Sequence, residues 1–294
     1  MAPPRWSLRR TRALVGEQLW LIVRLIAFVV LAWLIELLFG IDEPIPLGPM
    51  GALAIALFPA VLWLGFFYLL DRHEPEPKHY VAGVAVLGAM AAAPLADFIV
   101  YQAAAPLALA QHGISEWSLD RTIHAILVVG LSQELCKYAV VRYTIYLSAE
   151  FDEPMDGVVY MAAAGSGFAV WVNYHWLQER GHETMLSIAA AQAVITTLAH
   201  ASFAGVLGYV MGRARFTRRS APVRGALLLA GLLIAATLNG QFAQMESWLT
   251  QRWFGSEPWR GVLYAAGFAA LVFGALMFAS RRLLAQSPFR REGS

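Results

Sequence analysis

The chain has 294 residues, 59% of them hydrophobic and only 14% charged, with a formal net charge of +2. That balance excludes an ordinary soluble domain and fits one domain held in a bilayer; it gives no electrostatic footprint for nucleic acid, and no nucleic-acid partner is expected. The single cysteine, Cys136, excludes an internal disulfide and reads as a packed helix residue.

Apolar stretches of about 20 residues predict an all-α polytopic membrane bundle of about eight transmembrane helices. In chain order they cover residues 19–39, 50–70, 80–107, 121–147, 157–177, 185–211, 225–245 and 261–280. Residues 1–18 form a basic arm, 19–280 one membrane domain, and 281–294 a basic tail. A Pro-rich turn over 41–49 separates the first two spans. The third span holds Pro94 and Asp97, so a kink or break is expected there. In the fifth, Ala162 to Gly167 form a small-residue surface suited to close helix approach. Asp156, just ahead of that span, is placed to cap it.

Basic residues alternate sharply between the two sides. Arg5, Arg9, Arg10, Arg12, Arg72, Lys78, Arg142, Arg213, Arg215, Arg218, Arg219, Arg224, Arg281, Arg282, Arg290 and Arg291 fall on one side. Arg121, Arg180, Arg252 and Arg260 fall on the other. The positive-inside bias therefore places both termini in the cytoplasm and supports an even number of spans. The basic residues are also positioned to meet anionic lipid headgroups of the bilayer. No small-residue cleavage site follows the first span, which reads as an anchor rather than a removable signal.

The fourth span carries the strongest chemical signal: Gln133, Glu134 and Lys137 lie near the middle of an otherwise apolar segment. Ionisable groups at that depth are costly and mark a site, a relay or a pathway. Glu134 and Lys137 are i and i+3, hence on one face and able to pair. Further polar residues occur in the next three spans: Asn173 and His175, then Gln192, Thr196, Thr197 and His200, then Asn239 and Gln241. Because lipid offers them no partners, they are expected to converge on a polar interior, with Asn173 brought beside Glu134.

These motifs, in this order, resemble the PrsW family of intramembrane proteases, relatives of the CAAX-processing and bacteriocin-processing membrane endopeptidases. The segment Asp71-Arg-His-Glu-Pro-Glu-Pro77 looks like the family's first cytoplasmic turn, and Ser132-Gln-Glu-Leu-Cys-Lys137 stands where the family has Glu-Glu-x-x-Lys. Phe151-Asp-Glu-Pro-Met-Asp-Gly-Val-Val-Tyr160, followed by Gly165-Ser-Gly-Phe-Ala169, is the most specific part. His200 with Gly208-Tyr-Val-Met-Gly212 looks like the family's histidine helix.

The resemblance implies hydrolysis of peptide bonds in membrane proteins in a bacterial inner membrane, with Glu134 and His200 as catalytic residues. Gln133, Lys137, Asn173, Asn239 and His175 would line the site. Glutamate and histidine can act on water directly, or through a bound divalent metal such as zinc; the sequence leaves both open. The chain departs from the family pattern at three positions. Gln133 replaces a glutamate, Val172 replaces the glutamate expected before Asn173, and Asn239 replaces a histidine. Three readings follow: a protease with a reduced site, a degenerate pseudoprotease that binds membrane proteins as clients without cutting them, and a small transporter or proton path.

Overall fold

In a bilayer every backbone N–H and C=O must be satisfied within the protein, so apolar runs of this length fold as helices. The computed structural model describes residues 5–44, 46–70, 76–107, 119–252 and 258–284. Its helices are α1 (Arg5–Phe39), α2 (Pro49–Tyr68), α3 (Lys78–Leu87), α4 (Ala93–Leu107), α5 (Leu119–His124), α6 (Leu131–Thr144), α7 (Asp156–Arg180), α8 (Leu186–Phe216), α9 (Ala221–Arg252) and α10 (Pro258–Leu284), and no strand occurs among the described residues. Residues 71–75, 108–118 and 285–294, which hold most of the first connector motif, the loop after the third span and most of the tail, lie outside the described residues.

Two pairs of helices run on as single rods. A π-helical turn at Gly88–Ala92 joins α3 to α4, and another at Ala125–Gly130 joins α5 to α6. The expected kink in the third span is thus a widened turn immediately before Pro94. Proline lacks an N–H and crowds the carbonyl one turn back, and a π turn relieves both problems without ending the helix.

Among the described residues eight rods result, and seven are long and apolar enough to cross a membrane. The eighth is α7, and its placement explains its lower apolarity. Every residue from Asp156 to Ala169 is buried, so this stretch is sheathed by other helices and needs no lipid-facing surface. The all-α polytopic membrane fold is therefore the observed one, with α7 as its axis.

Small residues hold that axis in place. Gly88 abuts the Ala164 backbone, Gly167 abuts Ala85, Gly165 abuts His200 and Ala201, and Gly157 abuts Gly208. At each point a Cβ would collide with the neighbouring backbone, so α3, α7 and α8 approach one another as closely as helices can. A second close contact joins α9 to the π turn before α6, through Gly130 against Ala236 and Gly240 against Ala125. Around this frame, Trp63, Phe66 and Phe67 of α2 lie 5.4–6.0 Å from the Phe273 ring of α10. Trp63 Nε1 also donates to the Val194 carbonyl at 3.1 Å.

The loop before α7 closes differently from expectation. Met155, not Asp156, is the N-cap. Asp156 turns back instead and accepts the Glu153 N–H at 2.8 Å, pinning the turn. Tyr160 O–H donates to Glu76 at 2.5 Å, tying the start of α7 to the segment before α3. At the other end of the bundle Glu36 of α1 accepts the Ser187 N–H at 2.8 Å. This carboxylate caps the start of α8 from a different helix, at the end where the backbone donors and the helix dipole favour an anion.

Two outcomes follow. Gly167→Val drives a side chain into the α3 backbone and lowers stability by about 1–3 kcal/mol, the range for overpacking, read as a lower melting temperature in detergent. Glu36→Ala removes the cap of α8 at a cost of about 1–3 kcal/mol, the range for a hydrogen bond to a charged group. Glu36→Gln retains most of that stability because an acceptor oxygen remains.

Candidate active site

Three of the close-packed rods bring one side chain or more to a common point. Glu134 and Lys137 come from α6, His200 from α8 and Asn239 from α9. Lys137 Nζ lies 2.5 Å from Glu134 Oε1, and both side chains are completely buried. Asn239 Nδ2 donates to the same oxygen at 2.8 Å. Lys137 Nζ lies 3.4 Å from His200 Nδ1. An ammonium only donates, so this pairing makes Nδ1 the acceptor and puts the ring proton on Nε2.

The backbone contacts explain this convergence. Gly165 of α7 lets the His200 turn of α8 come close, and the Gly130–Gly240 pair seats Asn239 against α6. Phe168 of α7 closes the centre on one side. Its ring centroid is 4.7 Å from Lys137 Nζ and 5.1 Å from the His200 ring, so it adds a cation–π contact. The sequence reading passed over Phe168. The available signal was its spacing, since Phe168 is i+3 from the Gly165 that abuts His200 and shares its face.

The other site candidates lie elsewhere. Asn173 donates to the Ala193 carbonyl at 3.2 Å and to Thr197 at 3.3 Å. It therefore sits in the α7–α8 seam about one turn from His200, not beside Glu134. His175 Nδ1 lies 3.0 Å from the Trp171 carbonyl, and the imidazole stacks on the Trp171 ring at 4.1 Å. Gln133 is partly buried, and its Oε1 is sealed without a hydrogen-bond partner among the described residues. Val172 and Cys136 pack in one apolar cluster with Ala92, Ala93, Ala96 and Phe168.

Chemically, the centre is one carboxylate with its two oxygens in different states. Oε1 is held by an ammonium and an amide, while Oε2 is sealed from solvent and has no partner among the described residues. An uncommitted carboxylate oxygen in a low dielectric is a proton acceptor in waiting.

A helical membrane bundle with such a buried ionisable centre belongs to the class of polytopic integral membrane proteins. The sequence profile described as PrsW family intramembrane metalloprotease matches residues 76–275. Protease PrsW of Geobacillus kaustophilus is 33% identical over 198 residues, covering 66% of this chain and 79% of that protein. Protease PrsW of Bacillus subtilis is 28% identical over 190 residues, covering 65% of this chain and 80% of the relative. Protease PrsW of Clostridioides difficile is 24% identical over 188 residues, with 64% and 76% covered. No solved structure matches the chain. The chain belongs to the PrsW family of intramembrane proteases. The matched region begins at Glu76, so α1 and α2, including the Glu36 cap, lie outside it.

The family's description implies a metal, and the residues assembled here do not fit one. Among the described residues no group of three or more His, Cys, Asp or Glu side chains converges. The position between Glu134 and His200 is taken by the Lys137 ammonium, and Asn239 turns its amide nitrogen toward the carboxylate. A catalytic zinc ordinarily has three protein ligands and an open position. Here two potential ligands face a cation that is already part of the chain.

Lys137→Met leaves the Glu134 carboxylate buried without its cation and costs about 3–5 kcal/mol, the range for breaking a buried pair from one side. Adding Glu134→Gln to Lys137→Met recovers most of that loss. A double-mutant cycle of melting temperatures in detergent checks both.

Proposed function

We propose that the chain is an intramembrane peptidase acting on proteins embedded in the same bilayer, with Glu134 as the base that takes a proton from water. The observation that carries this reading is the division of labour within the Glu134 carboxylate: Oε1 is held by Lys137 and Asn239, and Oε2 is uncommitted. Two donors on one oxygen fix the carboxylate's direction. Water deprotonated at Oε2 would attack the scissile carbonyl, and a positive group within the site would stabilise the oxyanion. Lys137 is that group. The proton taken by Glu134 passes to the departing amine nitrogen as the C–N bond breaks, and neutral His200 offers its Nε2–H as a hydrogen-bond donor within the site. No step in this scheme passes through a metal.

Glu134, Lys137 and Asn239 are almost completely shielded from solvent, so the site works only after helices part to admit water and substrate. The same closure supports a second reading, in which the fold binds membrane proteins without cutting them. Val172 favours it, because an apolar side chain in an apolar cluster occupies a position where the family has a carboxylate. The basic-residue distribution supports cytoplasmic termini, and the bacterial relatives support a bacterial inner membrane.

Membrane proteomics of cells expressing the chain, its Glu134→Ala form and its His200→Ala form separates the two readings. Peptidase activity produces truncated membrane proteins that vanish in both variants. Identical profiles in all three favour the non-cleaving reading. In that case Gln133→Glu, Val172→Glu and Asn239→His together restore cleavage.

A further inference from the structure

A second ionisable group lies within the membrane-spanning region, well away from the buried centre. Asp97 of α4 is exposed, and its carboxylate accepts the Trp171 indole N–H of α7 at 2.6 Å. Among the described residues it has no ion-pair partner. Its neighbours Leu95, Phe98 and Tyr101 are 51%, 58% and 74% exposed, so this face of α4 looks outward into lipid. A carboxylate with one neutral donor on a lipid-facing surface is poorly compensated.

The two rods are arranged to leave it there. About midway along they are locked at backbone distance through Gly88 against Ala164 and Gly167 against Ala85. Beyond the π turn, α4 and α7 are joined by side chains, chiefly Ile99, Trp171 and Val172. Asp97 lies nineteen residues beyond Lys78, the start of α3, and His175 nineteen beyond Asp156, the start of α7. Both are therefore about 28 Å along at about 1.5 Å per residue. Glu134 is only about 15 Å from the Thr144 end of α6 on the same scale. Asp97 thus lies in the half of the bundle away from the Lys78 end, where the Trp171 indole of α7 reaches it.

Phe168 links this seam to the buried centre: it packs with Val172 in one cluster, and its ring also faces Lys137 and His200.

We infer that the α4–α7 seam is a lateral docking site for a membrane-spanning segment that carries a lysine or arginine at the level of Asp97, with that cation pairing to the Asp97 carboxylate. The argument for this occupant is charge complementarity: the seam offers an exposed anion beside the Trp171 ring, and a cation satisfies both. The inference rests on the reading that the chain acts on membrane proteins, and it stands whether or not they are cut.

The test uses the full chain in proteoliposomes with a photo-crosslinking residue at Phe98, beside Asp97 but outside both polar sites. The probes are single-pass reporter peptides with one ~20-residue apolar segment bearing Lys, Leu or Asp at the matching level. The native chain is expected to capture the Lys reporter roughly fivefold or more over the Leu reporter, the scale of an interhelical polar contact. Asp97→Lys reverses the preference toward the Asp reporter. Asp97→Asn, which keeps an acceptor oxygen for Trp171, abolishes it and decides the question if Asp97→Lys does not fold. Equal capture of the three reporters by the native chain, or an unchanged Lys preference in Asp97→Asn, overturns the proposal. The same series on the Glu134→Ala chain separates docking from cleavage: retained capture without cut product supports the docking site on its own.

Discussion

The structure turns on one constraint: a carboxylate and an ammonium share a site that neither lipid nor water reaches. Taking two charges out of water is repaid only by close geometry and further hydrogen bonds. Glu134 and Lys137 obtain the first by lying i, i+3 on α6. They obtain the second from Asn239 and His200, which come from two other helices. The positions of α8 and α9 relative to α6 are therefore tied to the pair. A shift of either would strand a charge in a medium where that is costly.

The glycine contacts supply the accuracy this requires. Side-chain packing tolerates adjustments of a few tenths of an ångström, but backbone against backbone does not. Gly165 beneath His200 and Gly240 beside Asn239 each lie next to a polar group of the centre. The placement of these glycines along the sequence sets the register of the helices, and the register sets the site. The same logic accounts for α7. Enclosed by protein along its first half, it trades hydrophobicity for small residues and hydrogen-bonding groups, and so it falls short of a membrane span by composition.

Much of this was legible in the sequence, and the illegible parts share a cause. Helices follow from local apolar length, and the Glu134–Lys137 pair follows from spacing within one helix. Asn173 and His175 were grouped with the centre because they lie in the right span, yet they face Thr197 and Trp171. Which face of α7 meets which face of α8 depends on interhelical register, and no local pattern encodes that. Glu36 is a sharper case. Its partner is Ser187, 151 residues away, and nothing near Glu36 announces a capping role. Asp97 was visible as a charge in a span, but its indole partner belongs to another helix. The π turn before Pro94 was half legible: the proline signals a disturbance, and the structure shows it as a wider turn rather than a break.

The three departures that the resemblance implies would share one meaning in charge balance. The buried centre of this chain is neutral as a set, with one carboxylate, one ammonium and the uncharged Asn239 and His200. Glutamates at positions 133 and 172 would add two negative charges to a region that holds a single cation. Two negative charges are the amount that a divalent ion neutralises. The substitutions that remove potential ligands therefore also remove the charge that would call for a metal, and Lys137 alone suffices to balance what remains. Asn239 completes the arrangement by donating to Glu134, which an imidazole does only in one tautomer or when protonated. On the proposed reading, activity of this centre rests on Glu134 and the polar groups that hold it.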